Sequence, residues 1–204
     1  EYMKTVFLHG LGQTKKDWEN IVNSTSGQTE CLDLFSINDG AITYSSIYNS
    51  LEAQLATEKE PFRICGISLG GILAMDYAIH HANNISALVL IGVQYKVPRF
   101  IFTIQNILFN LLPDKAFSDT GLSKKQMLKL TKSMKKLDLS KDLNKITCPV
   151  TIMCGANDKA NIKAAKSLDC LLLNSSLHII PNAGHELNKE VPEVIMEVMG
   201  EGLE

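Results

Sequence analysis

The chain has 204 residues, 45% apolar and 21% charged, with a net charge of −2. That length suits one domain, residues 1–204, with a continuous core, and the near-neutral balance gives no reason to invoke nucleic acid. Five cysteines (31, 65, 148, 154 and 170), an odd number with no C-x-x-C spacing, argue against a disulfide framework and predict reduced, buried thiols in a cytoplasmic protein.

No signal-peptide pattern opens the chain. The residues before Met3 and the last three read as expression scars around a native start at Met3. The longest apolar stretch, residues 100–112, is too short and too interrupted for stable membrane insertion.

Residues 4–8 are rich in β-formers and predict a buried strand, ended by His9-Gly10-Leu11-Gly12. One or two helical turns follow over residues 17–22. His9 is expected to prop this loop by hydrogen bonding rather than to move protons. A second strand is expected over residues 30–35, near an edge, and a helix over 45–59 with Ile47, Leu51, Leu55 and Tyr48 as its inner face.

Residues 62–81 organise the chain. An apolar run leads into Gly66-Ile67-Ser68-Leu69-Gly70-Gly71 and then into an amphipathic segment. The corner matches G-x-S-x-G between a strand and a helix, the context that gives the motif meaning. Glycines at 66 and 70 let backbone close around the corner, thrusting Ser68 out at the strand's carboxyl end. The N–H of Leu69 and the positive end of the helix dipole then face whatever Ser68 attacks.

A fourth strand is expected over residues 87–93, apolar on both faces as interior parallel strands are. The rhythm then breaks for some fifty residues, and an insertion over about 94–145 reads as a helical lid. One helix is expected over residues 99–112 and another over 123–138. The second has Met127, Leu130, Met134 and Leu137 on one face and six lysines on the others. Residues 123–145 carry +6, leaving −8 on the remainder. The apolar lid faces either cover the sheet or wall an acyl-binding pocket from Phe100, Ile104, Leu108, Met127 and Met134. The lysine face is either solvated or attracts an anionic substrate such as a thioester of CoA or of a carrier protein.

A fifth strand (149–154) ends in Gly155-Ala156-Asn157-Asp158, a helix covers 161–173, and a sixth strand (177–180) ends in Pro181-Asn182-Ala183-Gly184-His185. The last helix, from about 190 to 199, carries Pro192 in its first turn. The fold class is therefore α/β: a mostly parallel sheet of about six strands with helices on both faces.

In such a sheet all strands end on one rim, so Ser68, Asp158 and His185 share it. A serine hydroxyl needs a base near neutral pKa, and the histidine needs a carboxylate to fix its tautomer and stabilise its charged form. The roles predicted are Ser68 as nucleophile, His185 as base then acid, and Asp158 as orienter. The N–H groups of Leu11 and Leu69 are the expected oxyanion donors.

With His9-Gly10 and Trp18, Gly66-Ile67-Ser68-Leu69-Gly70-Gly71, Gly155-Ala156-Asn157-Asp158 and Gly184-His185 in this order, the chain resembles the α/β-hydrolase superfamily over nearly its whole length. The resemblance implies that the residues after His-Gly and after the nucleophile, Leu11 and Leu69, form the oxyanion hole, and that a lid follows the fourth strand. The chain departs from the pattern in starting directly on the His-Gly strand, without the usual antiparallel hairpin, and in its short lid.

Competing groups have plainer roles. Asp33 is expected inside an edge-side strand, Asp169 late in a helix as a surface charge, and His178 as a satisfied core residue. His80 and His81 end a helix, where cations suit the dipole. No His/Cys/Asp cluster has metal-ligand spacing and no G-K-[ST] follows the glycines, so neither metal, nucleotide nor other cofactor is expected. The expected function is a serine hydrolase of a small ester or thioester, with a small-molecule acyl substrate, no nucleic acid, and its oligomeric state open. Amide or carbon–carbon cleavage, or a ligand-binding protein on the same scaffold, are the alternatives.

Overall fold

A computed structural model describes residues 3–36, 42–97, 113, 115, 117 and 120–200. Six strands form one sheet: β1 (Thr5–Leu8), β2 (Thr29–Leu32), β3 (Phe62–Ile67), β4 (Ile85–Ile91), β5 (Val150–Gly155) and β6 (Ser175–Ile180). Their order is β2-β1-β3-β4-β5-β6, with every neighbouring pair parallel. Among the described residues there are seven α-helices: α1 (Glu19–Ser24), α2 (Tyr44–Leu55), α3 (Leu69–His80), α4 (Lys124–Ser133), α5 (Ile162–Leu171), α6 (Leu187–Glu190) and α7 (Pro192–Val198).

Strand periodicity of two divides the core between the two faces of the sheet. On one face Val6, Leu8, Ile64, Leu88, Leu90 and Ile152 pack with side chains of α2 to α5. On the other, Phe7, Cys65, Ile67, Val89, Ile91 and Met153 pack with Trp18, Ile21, Leu187 and Ile195. Each fully buried Leu or Ile contributes about 1.5–3 kcal/mol by leaving water. The central strands therefore read as continuous apolar runs, whereas edge strands β2 and β6 are mostly half-exposed.

Element ends differ from the sequence reading for local reasons. β2 stops at Leu32, not at 35, because the Leu34 N–H donates to His9 Nε2 (3.0 Å) instead of to a neighbouring strand; Asp33 accordingly lies beyond the strand. β4 spans Ile85–Ile91 rather than 87–93, since Gly92 takes φ +57°. β5 runs one residue later, to Gly155, and β6 begins at Ser175, two residues early. α2 is capped by Thr43 and ends at Leu55, short of 59, and Tyr44 joins Ile47, Leu51 and Leu55 on its buried face in place of the half-buried Tyr48. α5 ends at Leu171. The last helix divides at Val191, which precedes Pro192 and is driven out of helical geometry by its ring (φ −146°, ψ 57°).

His178 is a correction: it is half-exposed, because β6 is an edge and covers one side of the sheet poorly. Cys170 is another. It is exposed on the outer side of α5, and Cys31 is only half-buried, whereas Cys65, Cys148 and Cys154 are buried; all five are free. Among the described residues no helix is long and apolar enough to cross a membrane.

The insertion between β4 and β5 is drawn together at its neck. Lys96 and Asp138 form an antiparallel bridge, Val97 N–H donates to Leu137 O (3.1 Å), and Leu139 N–H donates to Tyr95 O (2.9 Å). This neck explains why α4 stops at Ser133 rather than at 138. The chain must turn out to pair with residues 95–97, and the Thr131 and Ser133 hydroxyls bond back to Met127 O and Leu130 O. Ser133 Oγ also accepts the Tyr44 N–H (2.9 Å), while Tyr44 OH donates to Asp76 of α3 (2.8 Å), so one residue ties insertion, α2 and α3 together. The expected helix over 99–112 lies outside the described residues.

Candidate active site

Ser68 stands between β3 and α3 with φ 52° and ψ −116°, a region that costs a non-glycine residue about 1–3 kcal/mol. The corner closes because its glycines admit backbone. A methyl at Gly66 would lie 2.5 Å from the Gly70 carbonyl, and one at Gly70 only 2.3 Å from Leu8 O. Ser68 N–H donates to Ile91 O (2.9 Å), locking the corner to the end of β4. Leu69 is the first residue of α3, so its N–H is one that a helix cannot satisfy internally.

Asp158 follows β5 and His185 follows β6. The His185 Nδ1–H donates to Asp158 Oδ2 at 2.7 Å, leaving Nε2 for other work. Gly92, next to Ile91, lies under the pair: a methyl there would come within 2.9 Å of the His185 ring and 3.3 Å of Asp158 Oδ2. Two successive residues, Ile91 and Gly92, thus hold Ser68 on one side and His185 with Asp158 on the other. β5 and the His185 loop approach equally closely, since a Gly155 methyl would lie 2.0 Å from Gly184 O.

Asp158 is buried, 6% exposed. Burial opposes its ionisation, but hydrogen bonds from His185 and Asn161 outweigh it and hold the carboxyl below its ordinary range. The same bond to Asp158 raises His185, against burial and with help from the charges of Asp158, Glu186 and Glu190.

His9 does what its sequence position suggests. It is fully buried, donates from Nδ1 to Gly10 O (2.9 Å) and accepts the Leu34 N–H at Nε2 (3.0 Å). Those two bonds fix a neutral tautomer, and burial lowers its pKa despite Asp33 at 3.7 Å. The loop it props lies beside Ser68: a methyl on Gly10 would touch Ser68 Cβ at 3.4 Å. Among the described residues the Leu11 N–H has no hydrogen-bond acceptor, whereas its neighbour Gly10 N–H donates to Gln13 Oε1 (3.1 Å).

Of the suggested pocket, Phe100, Ile104 and Leu108 lie outside the described residues. Met127 and Met134 are buried, 2% and 4% exposed, inside the cluster shared with α2 and α3. The lysines at 125, 129, 132, 135 and 136 are exposed. Among the described residues no group of three His, Cys, Asp or Glu is placed to hold a metal. Asp169 is half-exposed and accepts the Ser175 hydroxyl (2.8 Å), and His81 pairs with Glu52 (2.6 Å).

Sequence reasoning missed the supporting polar residues. Asn161 braces Asp158, and Gln94 braces Asn161. Glu190 accepts the N–H groups of Gly184 (2.6 Å) and Glu186 (3.1 Å), gripping the His185 loop from both sides. The one available signal is a capping-type spacing, a carboxylate four to six residues after the N–H groups it serves.

No family model matches the chain. Along 246 aligned residues it is 23% identical to monoacylglycerol lipase abhd6-B of Xenopus laevis, covering 95% of this chain and 73% of that protein. Among solved structures, the enol-lactonase of Burkholderia xenovorans LB400 superimposes with a TM-score of 0.84 at 14% identity, over 98% of this chain and 90% of that one. MenH from S. aureus gives 0.81 at 18% identity, over 98% and 93%. At such identities the structural likeness speaks for the fold. The sequence match runs along nearly the whole chain, which resembles the α/β-hydrolase superfamily throughout and has its fold.

Proposed function

We propose that this chain is a serine hydrolase that cleaves a small carboxylic ester or thioester through an acyl-enzyme. The observation that carries the reading is the His185 Nδ1 to Asp158 Oδ2 bond of 2.7 Å, packed on Gly92 beside the backbone that anchors Ser68. It leaves a basic imidazole nitrogen, Nε2, on the rim where the strained corner presents a hydroxyl.

In the proposed sequence Ser68 Oγ attacks the acyl carbon and its proton passes to His185 Nε2. The tetrahedral oxyanion is held by the N–H groups of Leu11 and Leu69, each such donor worth about 3 kcal/mol. The imidazolium, stabilised by the Asp158 carboxylate, then protonates the departing alcohol or thiol as its bond to the acyl carbon breaks. Water, deprotonated by the same nitrogen, attacks the acyl-enzyme, and Ser68 leaves with its proton restored from His185.

A lipase and an enol-lactonase among the similar proteins support an ester as the bond cleaved. Met127 and Met134 would line the acyl site only at the margin of a cluster that they already fill, so covering the core is their stronger role.

The test is intact mass after a fluorophosphonate, wild type beside Ser68→Ala, with p-nitrophenyl esters from acetate to octanoate assayed in parallel. One adduct and turnover in the wild type, both lost in Ser68→Ala at an almost unchanged Tm, are expected. A folded wild type with no adduct would move the ligand-binding alternative to the front.

A further inference from the structure

The loop after β1 and the loop carrying His185 are 175 residues apart in sequence, yet two buried amides join them. Gln13 and Asn188 are 3% and 1% exposed. Gln13 Nε2 donates to Asn188 Oδ1 (3.1 Å), and Asn188 Nδ2 donates back to Gln13 Oε1 (3.3 Å). The remaining capacity of each amide is also used. Gln13 Oε1 accepts the Gly10 N–H (3.1 Å), Gln13 Nε2 donates to Glu186 Oε1 (2.9 Å), and Asn188 Nδ2 donates to Asp17 O (3.1 Å). Every amide hydrogen of the pair has an acceptor, so neither group can flip without setting N–H against N–H. Lys189 closes the outside of the network on Glu186 (3.0 Å) and Asp17 (3.2 Å).

Stability alone does not call for this arrangement. Replacing both members of a buried hydrogen-bonded pair by apolar groups of similar shape is often close to neutral. What two amides supply and two leucines do not is direction: they set the Gly10–Leu11 backbone at a fixed height relative to residues 185 and 186. On the serine-hydrolase reading, those segments carry the Leu11 donor and the base. Catalytic geometry of that kind tolerates about 0.5 Å, and a misplacement of about 1 Å costs on the order of 100-fold in rate.

We infer that Gln13 and Asn188 are a positioning pair that latches the oxyanion loop to the histidine loop; this rests on the serine-hydrolase reading for its catalytic consequence. The pair touches no reacting atom. It acts through the Gly10 N–H on one side and through the chain next to His185 on the other.

The experiment compares wild type, Gln13→Met, Asn188→Leu and the double variant. Ester kinetics are normalised to sites titrated by fluorophosphonate, and amide hydrogen exchange is followed at residues 10–12 and 184–188. Each single variant should lose about 10- to 100-fold in kcat with KM within about twofold, and the double variant should lose no more than the worse single one. Exchange should quicken in both loops whichever partner is changed. Gln13→Glu, which keeps an acceptor for Gly10 N–H and removes the donors, serves if Gln13→Met does not fold, with the same loss expected. A kcat within twofold of wild type in the folded single variants, or quickened exchange confined to the mutated loop, overturns the inference. A wild type with neither adduct nor turnover instead sinks the hydrolase reading, and the exchange data still decide the latch.

Discussion

Asn161 grips both oxygens of Asp158: its Nδ2 donates to Oδ2 at 2.8 Å and to Oδ1 at 3.0 Å, and its backbone N–H reaches Oδ1 at 3.3 Å. Gln94, the third residue after β4, donates to Asn161 Oδ1 (2.8 Å) and so fixes which way that amide faces. Asn161 Nδ2 also lies 3.2 Å from His185 Nδ1; with the Nδ1 proton directed to Asp158, this is a contact and not a hydrogen bond. The carboxylate is thereby held in a fixed orientation toward the imidazole.

Removing that grip should weaken both stability and rate. Hydrogen bonds to a buried carboxylate are worth about 1.5–3 kcal/mol. Asn161→Leu is expected to lose about 2 kcal/mol in denaturant unfolding and about tenfold in kcat, with KM little changed. Gln94→Leu, which only frees the amide to rotate, should lose less of both. An Asn161→Leu enzyme with wild-type kcat would show that His185 and the surrounding backbone orient Asp158 unaided.

The His185–Asp158 bond fixes the sign of the pH dependence. Asp158 raises the histidine above its ordinary value, and on the proposed serine-hydrolase reading His185 must be neutral to accept the Ser68 proton. Ester kcat/KM should therefore be low in acid and rise through a midpoint above about 6.5, the ordinary histidine value. Asp158→Asn removes the raising charge and presents the wrong tautomer, so that turnover should fall by about four orders of magnitude, with the residual midpoint moved down. A midpoint that stays in place in Asp158→Asn would assign the limb to another group.

His9 gives the opposite linkage. Burial lowers its pKa, so the unfolded chain takes up a proton more readily than the folded one as pH drops below about 6.5. Its contribution to stability is present above that pH and is lost as pH falls toward the lower folded value. Thermal unfolding from pH 7.5 to 5 should show wild type losing more Tm than His9→Gln. His9→Leu, which abandons the Leu34 N–H and the Gly10 carbonyl, should cost about 2 kcal/mol at pH 7. Fluorophosphonate labelling of Ser68 should persist in His9→Gln; its abolition in folded protein would give His9 a part in the chemistry.

Much of this was legible in the sequence because backbone rules write it there. Continuous apolar runs between helical patterns specify a parallel sheet, and G-x-S-x-G at a strand end specifies the corner at Ser68. Gly155 and Gly184 flank loops whose meeting brings Asp158 to His185. The residues that hold the site were not legible. Asn161, Gln94, Gln13 and Asn188 are polar amides whose partners are set by tertiary approach, and nothing in their spacing distinguishes them from surface residues. His178 was misread because an edge strand and an inner strand differ in coverage, which depends on sheet order. The end of α4 depended on a bridge between residues 96 and 138 that no local pattern encodes.

The close approach of β5 to the His185 loop leaves Gly155 no room for a side chain. A Gly155 methyl would sit 2.0 Å from Gly184 O and 2.3 Å from Ala183 O, both backbone atoms with no side chain to swing aside. The Asn157 N–H donates to Ala183 O (2.9 Å) and the Ala156 N–H to Ile180 O (2.8 Å), so moving the loop away breaks bonds as well. Overpacking of this kind costs about 1–3 kcal/mol and more when backbone must shift. Gly155→Ala should lower stability by at least about 3 kcal/mol. Where it still folds, in the cold, it should part Asp158 from His185 and lose at least 100-fold in kcat. The downfield imidazole proton of the His185–Asp158 bond offers the direct check: its persistence in an active Gly155→Ala protein would mean that the loop yields without disturbing the pair.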